Sequence, residues 1–236
     1  MATKKSKGTK TKKKSSFWRI VGKIVLALFL LSILLPIAYR WINPPVTLLM
    51  LRRAVFDGQS IEKKWKPIEE ISPYMYKAAI ASEDNYFLGH RGFDIIAIDQ
   101  AVKEREHGRK RGASTISQQT AKNVFLWPKQ NWLRKALEAY FTTLIELIWD
   151  KHRIMEVYVN SIEMGDGIYG AQAAAKHFFG HDAANLTKEE SALIAAALPS
   201  PLKRDCARPG PYMLQRQKEI LRQMKLLGGR FPEKKD

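Results

Sequence analysis

Cysteine is nearly missing from this chain of 236 residues: Cys206 stands alone, so no internal disulfide can form and cysteine usage does not decide the redox compartment. Acidic residues are also scarce, 23 against 40 lysines and arginines, and the formal net charge is +17. A surplus of that size suits phosphate-bearing partners, whether nucleic acid, anionic lipid or a pyrophosphate substrate, and charge alone does not choose among them. No period of 20 to 50 residues recurs, which excludes solenoids and arrays, and stretches that read as strands are few. No compact cluster of His, Asp, Glu or Cys forces a metal site. What is present is enough apolar material, 45% of the chain, to build the core of one ordinary domain with a tail, though not two catalytic domains.

The charge is uneven. Residues 1–16 hold seven lysines and no acid, leaving +10 of the +17 to the rest. Such a run has nothing to bury and reads as a disordered basic tail. Residues 17–41 follow as an apolar segment, with no charge from Ile24 to Tyr39, close to the ~20 residues needed to cross a bilayer. Trp18 and Trp41 sit near its ends as interfacial anchors would, and Lys23 is near enough to one end to snorkel. The lysines upstream place the N-terminus in the cytoplasm and the remainder beyond the membrane. A cleavable signal peptide is the competing reading, but no small-x-small site follows the apolar run and Pro44-Pro45 is a poor cleavage context. Residues 42–71 read as a linker, in which periodicity does not settle whether Val46–Leu51 is strand, helix or a membrane-lying surface. Residues 72–236 read as the folded domain.

Within that domain the apolar run Ala78–Ala81 stops at Glu83-Asp84 and enters a Gly-rich turn. Ser72 can cap this helix and Pro73 suits its first turn, so Glu83 falls at the C-terminal end. That end carries negative partial charge, which disfavours an ionised carboxylate and can bring its pKa nearer the working pH that a general base needs. Taken alone, Glu83 and Asp84 read as solvated loop acids. About thirty residues on, Ser114 to Asn123 is dense in hydrogen-bonding side chains. Thr115-x-x-Gln118 resembles a capping box, and a helix start rimmed by Ser114, Thr115 and Lys122 is a ready phosphate site.

Further along, Asp94 can cap a helix through Val102, after which Lys103–Arg111 reads as an exposed, mobile loop. Trp132 to about Asp150 reads as a central, enclosed helix with Leu133, Leu137, Tyr140, Leu144 and Ile148 on one face. Near its start, Glu138 lies beside Arg134 and Lys135, where a surface salt bridge is the ordinary explanation. Asp150–Asn160 reads as a helix with Glu156 and Asn160 on one face, bracing the domain. Helices follow at Ala171–Phe179, from the Thr187-x-x-Glu190 cap to Leu198-Pro199, and at about Pro211–Leu227, the last presenting Leu214, Leu221, Met224 and Leu227 to the core.

The pattern Glu83-Asp84-x-x-Phe87-x-x-His90-x-Gly92-Phe93-Asp94, followed by Gly112-Ala113-Ser114-Thr115-Ile116-Ser117-Gln118-Gln119-x-x-Lys122-Asn123, resembles the first two motifs of the peptidoglycan glycosyltransferases that polymerise lipid II. Arg134-Lys135-Ala136-Leu137-Glu138 matches their third motif, Asp150–Asn160 their fourth and Ala196–Pro201 their fifth, all in order, over about residues 45–228. The chain is most similar to the monofunctional biosynthetic members. The resemblance implies a mainly α, lysozyme-like domain of two lobes, set behind one transmembrane helix, with its cleft at the membrane surface. It implies a bacterial inner-membrane protein with an extracytoplasmic catalytic domain, taking lipid II and the growing lipid-linked glycan as partners, other cell-wall proteins as further partners, and no nucleic acid. It implies Glu83 and Glu138 as catalytic residues, with Phe87, His90, Ser114, Gln118, Gln119, Lys122, Asn123, Arg134 and Lys135 around the substrate. No cofactor is required, and a divalent cation, Mg2+ or Mn2+, stays optional. Ser60-x-x-Lys63 and Ser200-x-x-Lys203 match a transpeptidase pattern by chance, since the chain has no room for that domain. Two rival classes stand beside this: a lysozyme-type lytic enzyme using Glu83 alone, and a non-enzymatic membrane scaffold. A glycan-cleaving enzyme meets no diphosphate, which the second motif argues for, and a scaffold leaves the ordered polar motifs unexplained.

Overall fold

The computed structural model describes residues 10–108, 112–128 and 131–227, with side chains from residue 17 onward. Helix α1 spans Lys10–Ala38, so it begins inside the basic tail rather than at Phe17. Once nucleated, a helix extends at little cost through a proline-free lysine run. The expected disorder of residues 1–9 lies outside the described residues. From Phe17 to Ala38 the helix has a mean hydropathy of 2.6 over its most apolar window, of which only 6% is buried. Its 22 residues reach ~33 Å, enough for the ~30 Å hydrocarbon layer.

The segment read as a linker is built into the domain. Thr47 caps α2 (Leu48–Phe56), accepting from Met50 N at 3.3 Å, which settles as helix what periodicity left open. Strand β1 (Glu62–Lys63) pairs in parallel with β3 (Ile168–Tyr169), whose other edge takes β2 (Glu163–Gly165) antiparallel. Gly165, Gly167 and Gly170 thus lie in and beside the turn that closes a small sheet. Gly170 has φ +85°, and a Cβ there would lie 2.8 Å from Asn160 O, so only glycine fits.

Two helix groups carry the rest. In one, α3 (Pro73–Glu83), α9 (Lys188–Ala197) and α10 (Pro211–Leu227) meet through Ala78, Ala81, Ala192, Ala195 and Ala196, small side chains that let the axes approach closely, against Ile220 and Met224 of α10. In the other, α5 (Ile116–Phe125), α6 (Trp132–Ile148) and α7 (Lys151–Ser161) pack together with α1 alongside α6. Helix α4 (Ile95–Glu106) buries none of its residues, and α8 (Ala171–Phe179) backs the sheet. The mainly α, two-lobed expectation is met, and the cleft runs between the groups.

Several local readings change. Helix α4 continues four residues past Val102, since Lys103 pairs with Asp99 one turn back, and the part of the expected loop at 109–111 lies outside the described residues. The enclosed face of α6 is Arg134, Glu138, Phe141, Thr142 and Ile145, whereas Leu133 is half exposed and Leu137, Tyr140, Leu144 and Ile148 are only partly covered. That stripe borders the apolar helix α1, with Tyr140 hydroxyl 3.0 Å from Ser32 Oγ. On α10, Met213 and Ile220 are buried while Leu214 is exposed. Ser72 does not cap α3 through its side chain; its hydroxyl donates to Leu186 O at 2.6 Å instead.

Candidate active site

Glu83 is the last residue of α3 and opens into the cleft, half buried. Its two oxygens are held separately. Ser82 Oγ donates to Oε1 at 3.2 Å, and Gln119 Nε2, from the facing lobe, donates to Oε2 at 2.8 Å. The amide of Gln119 is itself oriented, because Tyr158 hydroxyl lies 3.5 Å from its Oε1. Burial, then the nearby charges of Glu83 and Asp84, hold the Tyr158 pKa well above the usual phenol range, so it stays a donor. Gln119 is therefore left with its NH2 toward Glu83. Tyr158 sits in the fourth motif, and sequence reading gave it no part in the site. Its fully buried hydroxyl is the signal, and that is visible only in three dimensions.

The neighbouring acid behaves differently. Asp84 is 6% exposed and accepts from His90 Nε2 at 2.9 Å and from Ile116 N at 2.9 Å, tying the end of α3 to the start of α5. Gly92 N donates to His90 Nδ1, which makes Nε2 the protonated nitrogen facing Asp84. His90, expected around the substrate, is thus a buried brace. Phe87 is fully buried, with the Lys151 ammonium 4.5 Å over its ring, so it too packs rather than lines the cleft. Lys151 in turn pairs with Glu146 at 2.7 Å, whose carboxylate also accepts from Ser117.

The start of α5 does not supply the anion site that sequence reading offered. Its first amide is taken by Asp84, and Gln118 N donates to Thr115 Oγ1 while Thr115 N donates to Gln118 Oε1. Gln118 is accordingly a cap first, reaching the cleft only at its wall. The positive charge comes from side chains instead. Arg134 Nη1 donates to Glu138 Oε2 at 3.1 Å and Lys135 Nζ bonds the other oxygen, so Glu138, 3% exposed, holds both cations. Among the described residues Arg134 Nε is buried without a partner, and Lys122 Nζ bonds to none of them. Burial lowers the Lys122 pKa, with Arg134 and Lys135 adding to that and Glu138 and Glu83 opposing it. Two unspent donors in a cationic wall are what an anion needs.

A cavity of about 860 Å³ is lined by Glu83, Tyr86, Ser114, Gln119, Tyr212 and Arg216. It shares Ser114 and Gln119 with a second, of about 500 Å³, lined by Lys122, Arg134, Lys135 and Glu138. A third of about 240 Å³ holds Asn123 and meets the second at Lys122 and Arg134. Glu83 and the cations thus share one continuous groove. The donor set does not suit a resident divalent cation. Glu138 already has both oxygens on cations, and among the described residues no three His, Cys, Asp or Glu side chains converge.

A half-buried carboxylate that shares an open groove with a lysine unpaired among the described residues and two carboxylate-held cations suits an enzyme that transfers a group away from an anionic carrier. Comparison with known proteins gives the family. A family model described as transglycosylase matches residues 51–225, and the chain belongs to the transglycosylase family. It is 54% identical over 207 residues to the biosynthetic peptidoglycan transglycosylase of Caulobacter vibrioides, covering 86% of this chain and 90% of that protein. The proteins of the same name from Bacteroides thetaiotaomicron and Pseudomonas aeruginosa are 53% and 49% identical, each over 220 residues and 91% of this chain, covering 88% and 95% of their own lengths.

Proposed function

We propose that this protein is a peptidoglycan glycosyltransferase that polymerises lipid II into β-1,4-linked glycan, releasing undecaprenyl diphosphate. The observation that carries this is the shared groove: Glu83 is joined through Gln119 to the same helix that presents Lys122 one turn on. The 4-hydroxyl of lipid II in the larger cavity attacks the anomeric carbon of the growing, lipid-linked chain. A sugar alcohol is a weak nucleophile, so Glu83 takes its proton as the bond forms. The C–O bond to the diphosphate breaks, and its charge is received by Lys122, Arg134 and Lys135, with Ser114 at the rim. Glu138 fixes Arg134 and Lys135 rather than moving a proton. Asn123 lines the smaller cavity that meets the groove at Lys122 and Arg134. One displacement converts an α-linked donor to a β-linked product with inversion.

Helix α1 is a single-pass anchor in the bacterial cytoplasmic membrane, its N-terminus cytoplasmic and the groove outside. No cofactor is required; Mg2+ or Mn2+ enters only as a companion of the diphosphate. The two lipid-linked chains and the membrane are the partners, with other cell-wall proteins a further class and nucleic acid none. The purified chain incubated with lipid II should yield glycan strands and undecaprenyl diphosphate. Muropeptides released from purified cell wall, with no polymer from lipid II, would instead make it a lytic enzyme.

A further inference from the structure

Away from the groove, the exit of the transmembrane helix is gripped by the domain. Arg153 of α7 donates from Nε and Nη2 to Tyr39 O at 3.0 and 2.9 Å, from Nη2 to Ile42 O at 2.9 Å, and from Nη1 to Asn43 Oδ1 at 2.9 Å. Glu156 Oε2 accepts from Nη1 at 2.8 Å and fixes the fork. Lys63 Nζ continues the series, donating to Pro44 O at 2.6 Å and Pro45 O at 3.1 Å. Both cations lie over the Trp65 ring, the guanidinium 5.4 Å and the ammonium 5.5 Å from its centroid. Upstream, Arg40 N bonds to Ile37 O, and the Pro36 carbonyl accepts from Trp149 Nε1 at 2.7 Å.

The chemistry fits a clasp. A helix C-terminus leaves carbonyls without intrahelical donors and carries negative partial charge, and a planar guanidinium offers several donors in a fixed geometry. None of these groups reaches the groove. We propose that Arg153 is a positioning residue, joining anchor and catalytic domain into one rigid body so that the anchor's depth and tilt set where the groove meets the bilayer. This rests on the reading above that both substrates are lipid-linked. Their reacting atoms then stand at a fixed height over the membrane, and a free tether would spread the groove over many heights. Misplacement by about 1 Å can cost ~100-fold in rate.

The test uses the full chain in lipid bilayers, in a Cys206→Ser background, with spin labels at Leu26→Cys on α1 and Leu226→Cys on α10. The parent should give one narrow distance distribution, and Arg153→Gln a broad one. Polymerisation of bilayer-embedded lipid II by the variant should fall about tenfold, while turnover of a short-chain lipid II analogue in detergent stays within about twofold. An unchanged distribution and unchanged bilayer rate would overturn the proposal. So would equal losses in both assays, which mark an ordinary folding role. If Arg153→Gln does not fold, Arg153→Lys is read the same way, since its single ammonium cannot span the same carbonyls. A parent that makes no polymer yet keeps its narrow distance strikes the proposed reaction and leaves the clasp standing.

Discussion

Gln119 Nε2 lies 2.8 Å from Glu83 Oε2, a bond across the groove between α5 and the end of α3. In the proposed mechanism this bond aligns the carboxylate toward the incoming hydroxyl, with Lys122, one turn along α5, on the leaving-group side. Replacing Gln119 with Leu keeps the volume and removes the donor. The turnover number should drop about tenfold with the melting temperature nearly unchanged, as steady-state rates and thermal scans would show.

Lys122 gives the pH dependence. Burial lowers its pKa, so its ammonium discharges below the ordinary lysine range. If donor binding uses that charge, as proposed, the donor KM should climb on the alkaline side. Lys122→Arg, which stays charged, should flatten that limb. For stability the sign is opposite to that of a paired lysine. A folded pKa below the unfolded one makes the charged form a cost at neutral pH, relieved as pH rises through the lowered value toward 10.5. Lys122→Met should melt no lower than wild type at pH 7 while its activity collapses.

Asp84 carries structure rather than chemistry. Its carboxylate, only 1% exposed, holds His90 and the first amide of α5. Asp84→Ala leaves both donors buried and unpaired, costing about 2–4 kcal/mol and lowering Tm by about 5–12 °C in calorimetry.

Gly92 has φ +89°, and a Cβ there would sit 2.8 Å from Thr142 Cγ2. Gly92→Ala should cost about 1–3 kcal/mol, measured by urea unfolding. The double variant with Thr142→Ser should recover part of it, because the clashing methyl is gone while the backbone strain remains.

The sequence was most legible where the signal is local. Capping pairs such as Thr115 with Gln118 and Thr187 with Glu190 mark starts that the structure reproduces, and Gly180, in the left-handed region, marks the end of α8. It was least legible where a distant partner decides. The stripe Leu137–Tyr140–Leu144 pointed to a buried helix face, yet its cover is partly α1, more than a hundred residues earlier. His90 and Phe87 carry the spacing of a motif, and only packing shows that Asp84 and Lys151 have already taken them. Likewise the start of α5 looked like an anion site until Asp84 was found on its first amide. Glu83, Lys122 and Glu138 are separated by tens of residues, and their joining in one groove follows from α3, α5 and α6 alone.

The most direct measurement is single-turnover polymerisation of lipid II by Glu83→Gln, an isosteric change whose carbonyl can still accept from Gln119 Nε2 while its NH2 turns to Ser82 Oγ as donor. The account expects the variant to fold, to bind the lipid-diphosphate donor as wild type does, and to lose transfer by at least ~10²–10⁴-fold. Glycan formed at a near-wild-type rate would contradict it.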